Sequence, residues 1–231
     1  MPSGFMLKMM TSSFKQFADH YSVYLMSRKS GQPDGYSTRD MSDDYATVIS
    51  NELKGPVDVL GISYGGLIAQ HFAADYPDLV RHLVIGVAAY RVSDEGKELD
   101  SLVSELQSQG RWGKAYAAEM SGVYRRGFKK YLLHFLMLLF GIFRRSIPAH
   151  PSDFLIEAKA EVNHDSKQRL AEIKVPTLVI GGDQDFFFPA ELYRETAAGI
   201  PNAKLILYKE LGHNAFNSKR FVKDVLAFLV S

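Results

Sequence analysis

Short apolar runs alternate with amphipathic stretches over much of this chain. Tyr21-Ser22-Val23-Tyr24-Leu25-Met26, Val57-Asp58-Val59-Leu60, Leu83-Val84-Ile85-Gly86-Val87, Thr177-Leu178-Val179-Ile180 and Ala203 to Tyr208 read as strands, bounded by Gly, Pro and polar clusters. Between them, Tyr45, Val48, Ile49 and Leu53 fall on one helical face, in a helix expected to start near Ser42 and to end at Gly55-Pro56. Leu67, Ile68, His71 and Phe72 mark a second helix, which stops before Pro77. A third covers Ala190 to Ala198, and a last one after Ser218 buries Phe221, Val222, Val225, Leu226 and Leu229. Apolar strands alternating with such helices predict an α/β fold, a doubly wound and mostly parallel sheet covered on both faces.

The alternation breaks between about Val92 and Lys174, where the signals are helical only. Leu99, Leu102, Val103 and Leu106 form one stripe. Phe128 to Phe143 is apolar nearly all round, with Arg125-Arg126 before it and Arg144-Arg145 after it. A helix without a polar face is normally buried on several sides. The expected organisation is therefore a core of residues 1–91 and 173–231 interrupted by a helical cap, residues 92–172, over the sheet's C-terminal edge. The basic flanks also permit a membrane-surface reading of Phe128–Phe143. Packing over the site, or against a second subunit in a homodimer, is preferred.

Composition narrows the class. The chain has 231 residues, 46% hydrophobic and 23% charged, with 27 basic against 26 acidic side chains. That balance fits a globular protein and implies no nucleic-acid footprint. There is no cysteine, which excludes disulfides, thiolate metal sites and cysteine nucleophiles. The seven histidines include no H-x-H or H-x-x-x-H pair, so no metal and no cofactor is expected. Met1 to Met10 lacks the basic region and cleavage motif of a signal peptide, and Tyr131 to Phe143 is too short to span a bilayer. The expectation is a cytoplasmic protein that does not bind membranes.

Gly61-Ile62-Ser63-Tyr64-Gly65-Gly66 follows the strand at Val57–Leu60 and opens a helix. This is G-x-S-x-G in the strand–turn–helix context of a nucleophile elbow, where the flanking glycines let the backbone turn and the serine hydroxyl projects above the sheet. A dinucleotide-binding reading fails, because Ser63 stands where G-x-G-x-x-G needs its middle glycine. In a doubly wound sheet, ligands collect beyond the C-terminal strand ends. Two further ends carry chemistry: Gly181-Gly182-Asp183-Gln184-Asp185-Phe186-Phe187-Phe188-Pro189 and Leu211-Gly212-His213-Asn214-Ala215-Phe216. The other histidines belong to no motif.

With GISYGG, GGDQDFFFP, LGHNAF and the loop RKSGQPDGYS, nearly the whole chain resembles the α/β-hydrolase superfamily, in its capped, serine esterase-like subgroup. The resemblance implies a Ser63, Asp185, His213 triad in the order Ser, Asp, His. His213 would deprotonate Ser63 during attack, and Asp185 would hold the imidazole. Many relatives carry Asp, three residues and Pro at the acid position, which selects Asp185 over Asp183. The resemblance also implies two backbone donors for an oxyanion. The Tyr64 amide is the first. For the second, Ser3-Gly4-Phe5 is the only candidate, through the amide of Phe5. The leading strands usual in the family are absent, so the fold starts late, the chain is shortened, or a partner completes the sheet.

Three functions remain open at this point. The first is hydrolysis of small or medium acyl esters, a small-molecule substrate whose apolar acyl or aryl group a cap rich in Phe, Leu and Met would enclose. The second is C–C bond hydrolysis of a vinylogous diketone by the same triad. The third is non-catalytic ligand binding on the same fold.

Overall fold

The computed structural model of the protein describes residues 14–124, 128–143 and 149–230. Four parallel strands stand in the order β1 (Val57–Ile62), β2 (Val80–Gly86), β3 (Thr177–Gly182) and β4 (Ala203–Tyr208). The register pairs Leu60 with Val84, Val84 with Leu178, and Leu178 with Lys204. Successive side chains of a strand point to opposite faces. Leu83, Ile85 and Val179 accordingly join one buried cluster, while Val84, Leu178 and Ile180 join the other. Both faces of the sheet are covered, which is why these strands read as continuous apolar runs.

Helices connect the strands. α1 (Thr38–Val48) precedes β1, α2 (Tyr64–Asp75) joins β1 to β2, α7 (Ala190–Gly199) joins β3 to β4, and α8 (Lys219–Leu229) closes the described chain. Between β2 and β3 lie α3 (Asp94–Ser108), α4 (Trp112–Val123), α5 (Phe128–Phe143) and α6 (Pro151–Val162). Ser218 caps α8 by accepting the Phe221 amide, which fixes where the final helix begins. Among the described residues no helix is long and apolar enough to cross a membrane.

The structure corrects three expectations. α1 starts at Thr38, not near Ser42, because Ser37 and Asp40 form a capping box: each side chain takes up the other's backbone amide. The segment Tyr21–Met26 is not a strand, and Val23, Tyr24, Leu25 and Met26 are exposed. A β-type pattern needs a neighbouring strand to bond to, and the four described strands are fully accounted for without it.

The third correction concerns α5. It is helical as expected, yet it is not buried all round: Tyr131, Leu132, Phe135, Leu136, Leu138 and Leu139 are exposed. Among the described residues its close contact is with α4. At Gly141 a Cβ atom would come within 2.2 Å of the Gly113 Cα, so α4 and α5 touch backbone to backbone there. The broad apolar face of α5 is turned away from that contact.

Candidate active site

β1 ends at Ile62, and the next residue, Ser63, has φ 52° and ψ −123°. A side chain in this region is strained by about 1–3 kcal/mol and persists only where its surroundings enforce it. Here the Ser63 amide donates to the Gly86 carbonyl at 2.9 Å, and the Gly66 amide donates to the Ser63 carbonyl at 2.7 Å. The turn brings α2 against the sheet so tightly that a Cβ at Gly61 would lie 2.5 Å from the Gly65 carbonyl oxygen. One at Gly66 would lie 2.5 Å from the Ala88 Cβ. Gly65, by contrast, has open space where its side chain would be. The crowded glycines of this elbow are therefore Gly61 and Gly66, whereas Gly65, the second glycine of G-x-S-x-G, is not crowded.

The loops after β3 and β4 converge on the same point. His213 Nε2 lies 3.0 Å from Ser63 Oγ, and His213 Nδ1 lies 2.9 Å from Asp185 Oδ2. Asp185 is buried and fully engaged. Its Oδ1 accepts the amides of Phe187 and Phe188 at 3.0 and 3.2 Å, and its Oδ2 accepts the Tyr193 hydroxyl at 2.7 Å. Burial first, and then the Asp185 charge, raise the Tyr193 phenol well above its ordinary range, so it remains a donor. The rings of Phe187 and Phe188 pack against the His213 imidazole, with centroids 4.9 and 5.9 Å away. Asp183 takes no part in this chain of bonds; its Oδ1 accepts the Glu210 amide at 2.8 Å and ties the two loops together.

Tyr64 occupies the first position of α2, where a backbone amide has no acceptor within its own helix. The other expected donor, Phe5, lies outside the described residues.

Above Ser63 opens a cavity of about 210 Å³. Its apolar wall is Val103, Val123, Phe154, Ala158, Phe187 and Phe188. The polar remainder, besides Ser63, Tyr64 and His213, carries four acids: Asp100 from α3, beside Ser104 and Gln107, Glu119 from α4, and Glu157 and Glu161 from α6, with Arg28 from the loop before α1. The described enclosure is therefore mixed, apolar on one side and carrying acids on the other. The described side chains of α5 are absent from the lining, and Leu132, Phe135, Leu136, Leu138 and Leu139 are exposed. Arg28 is paired with Glu157 at 2.8 Å, and its guanidinium lies 4.5 Å from the Tyr64 ring centroid. Burial lifts the Asp100 carboxyl to about 7, with Glu119 adding to the rise and His213 opposing it. Burial likewise raises Glu119 and, reinforced by Asp100, holds Glu161 well above the usual carboxylate range.

Sequence reasoning missed Tyr193 and the acidic wall. A signal for the wall was present: Asp100, Ser104 and Gln107 share one face of α3, and Glu157 and Glu161 stand four apart on α6. Polar faces of this kind ordinarily meet solvent, and these meet a cavity. Tyr193 carries no local signal, since its reach to Asp185 depends on how α7 docks.

A family model described as the alpha/beta hydrolase family matches residues 4–223 of this chain. The chain belongs to that family. A pimeloyl-[acyl-carrier protein] methyl ester esterase of Neisseria meningitidis is 25% identical over 185 residues, covering 75% of this chain and 56% of its own length. The chain thus spans little more than half of that relative. A 2-hydroxy-6-oxononadienedioate/2-hydroxy-6-oxononatrienedioate hydrolase of Cupriavidus pinatubonensis is 31% identical over 187 residues, which is 75% of this chain and 62% of that one. Among solved structures, an alpha/beta hydrolase enzyme from a Medee basin deep-sea metagenome library superposes with a TM-score of 0.77 at 21% identity, over 96% of this chain and 85% of that chain. That likeness concerns the fold.

Proposed function

We propose that the protein is a serine hydrolase that cleaves carboxylic esters through an acyl-enzyme on Ser63. The observation that carries this reading is the continuous bond path from Ser63 Oγ through His213 to Asp185 at the end of a strained elbow. Ser63 Oγ attacks the ester carbonyl carbon while His213 Nε2 takes its proton. The carbonyl electron pair moves onto oxygen, and the Tyr64 amide faces that developing charge. Collapse of the tetrahedral species expels the alcohol oxygen, which receives the proton from His213. Water then repeats the sequence on the acyl group and releases the acid and free Ser63. Asp185 holds Nδ1–H toward itself and stabilises the imidazolium. The four helices between β2 and β3 act as the cap over this site.

A second reading, C–C bond hydrolysis of a vinylogous diketone, draws on the name of the Cupriavidus relative. A dienedioate substrate carries two carboxylates. The cavity's acidic wall opposes such an anion, and among the described lining residues the only cation, Arg28, is occupied by Glu157. Ester hydrolysis is therefore preferred. The test is a panel of p-nitrophenyl esters of rising acyl length beside a diketone substrate, with Ser63→Ala as the control. Ester turnover that vanishes in the variant supports the proposal; diketone cleavage without ester turnover replaces it with the second reading.

A further inference from the structure

Among the described residues the acidic wall is only partly paired. Asp100, Glu119 and Glu161 line the cavity into which Ser63 opens, and no ion-pair partner is found for them among the described residues. Asp100 Oδ2 is a buried oxygen without a hydrogen-bond partner. The nearby Arg28 is committed to Glu157 and also stacks on Tyr64. Removing unpaired carboxylates from water is costly, and crowding like charges adds to that cost. Three separate helices, α3, α4 and α6, nonetheless direct a carboxyl into one small chamber. Nor are the acids gathered as a metal would require, since no group of three or more His, Asp or Glu among the described residues could hold a metal ion. They are spread around the space where the substrate's remaining groups must lie.

We propose that this site selects esters bearing a positively charged amine, with Asp100, Glu119 and Glu161 supplying the negative charge against which the ammonium pairs. The inference rests on the serine-hydrolase reading for the reaction, and on the cavity alone for the charge preference. With a neutral ester burial keeps these carboxyls toward their protonated forms, and a carboxylate-bearing ester opposes their ionisation further. An ammonium group a few bonds from the scissile carbonyl turns the desolvated acids from a cost into a binding contribution. It does so in the transition state as well, where selectivity is set.

The groups facing this ammonium are Asp100, Glu119, Glu157, Glu161, Arg28 and His213. Because burial holds Asp100 protonated up to about pH 7, the preference strengthens as pH rises through neutrality. It weakens with added salt to the extent that solvent reaches the chamber.

The experiment compares S-acetylthiocholine with its uncharged isostere, 3,3-dimethylbutyl thioacetate, and with a thioacetate of similar size bearing a carboxylate. The expected result is a kcat/KM for the cation on the order of tenfold or more above the neutral ester at pH 8. The anion should be the poorest of the three. The cation-to-neutral ratio should fall toward unity in Asp100→Asn and Glu161→Gln, and in the unsubstituted protein between pH 8 and pH 6. Equal or faster cleavage of the neutral ester overturns the proposal, as does a ratio indifferent to both pH and the substitutions. Binding of phenyltrimethylammonium to the Ser63→Ala protein, followed by calorimetry, reads the charge preference without turnover. If Ser63 resists a fluorophosphonate and no ester is cleaved, the hydrolase reading fails. Cation binding that is weakened by Asp100→Asn would then still uphold the charge preference, and no cation binding would end it.

Discussion

The Tyr193 hydroxyl, carried by α7, donates to Asp185 Oδ2 at 2.7 Å and so sets the carboxylate that His213 leans on. Asp185 Oδ1 already accepts two backbone amides, which secure the carboxylate from the loop side; Tyr193 secures Oδ2 from the helix side. Tyr193→Phe keeps the ring and deletes one hydrogen bond, whose net worth is about 0.5–1.5 kcal/mol. The expected outcome is a loss of roughly 2–10-fold in kcat with little change in KM. Steady-state kinetics on one p-nitrophenyl ester checks it.

Ser63 is a poor residue for the backbone it occupies. Its φ of 52° with ψ of −123° is a region that glycine enters freely. Both Ser63→Ala and Ser63→Gly should abolish turnover, by about 10³-fold or more. They should differ in stability. The glycine variant relieves strain that the alanine variant retains, and it should unfold at higher urea, by about 1 kcal/mol. An alanine variant at least as stable as the glycine one would show that the elbow is relaxed.

The three elbow glycines separate cleanly. Alanine at Gly61 or Gly66 puts a methyl within 2.5 Å of fixed atoms, namely the Gly65 carbonyl oxygen and the Ala88 Cβ. These variants should lose about 2–4 kcal/mol or fail to accumulate as folded protein, as overpacked cores do. Alanine at Gly65 meets open space, and it should fold within about 0.5 kcal/mol of the parent. Thermal melts of the three variants decide this, and a comparable loss at Gly65 would contradict the geometry.

What the chain declares about itself follows from how local each cause is. β3 and α8 are readable because burial on both sheet faces and a serine cap are written in adjacent residues. Ser63, Asp185 and His213 are readable as chemistry-bearing residues just past strand ends, where a parallel sheet collects them. The start of α1 is equally local, in Ser37 and Asp40, although the apolar periodicity draws attention further along. Tyr21–Met26 misleads because a strand exists only with its neighbour. α5 misleads because an apolar helix signals a partner, and its broad face meets none among the described residues. The acidic wall is the least readable feature. Its carboxyls lie on three helices whose polar faces look like ordinary solvent faces until they are folded over Ser63.

Asp183 and Asp185 are two residues apart and do different work. Asp185 contacts His213 through both oxygens, whereas Asp183 holds the Glu210 amide. Asp185→Asn should favour the wrong imidazole tautomer and lower kcat by about 10³–10⁴-fold, as in the handed-down logic of such triads. Asp183→Asn should cost less than about tenfold and act mainly on stability, through a weakened loop bond. A larger loss of turnover at Asp183 would reverse the assignment.

His164 gives the fold an acid limit. It is buried beside His71, with Nδ1 2.9 Å from Thr38 Oγ1 and Nε2 without a hydrogen-bond partner among the described residues. Burial, then the neighbouring His71 and Lys97, push its pKa down from 6.5 to about 3. Between those two values the unfolded chain binds a proton that the folded protein refuses, so the unfolded state gains as pH falls. Stability tied to His164 is thus complete above about pH 6.5 and drains away toward pH 3. From pH 6.5 to 5 the loss should reach at most about 2 kcal/mol. In His164→Gln the side chain no longer titrates, so this part of the acid sensitivity should vanish even if the variant is less stable at pH 7.5. Urea unfolding at pH 7.5, 6 and 5 measures both slopes. Identical slopes in parent and variant would mean that the folded protein accommodates a charged His164 after all.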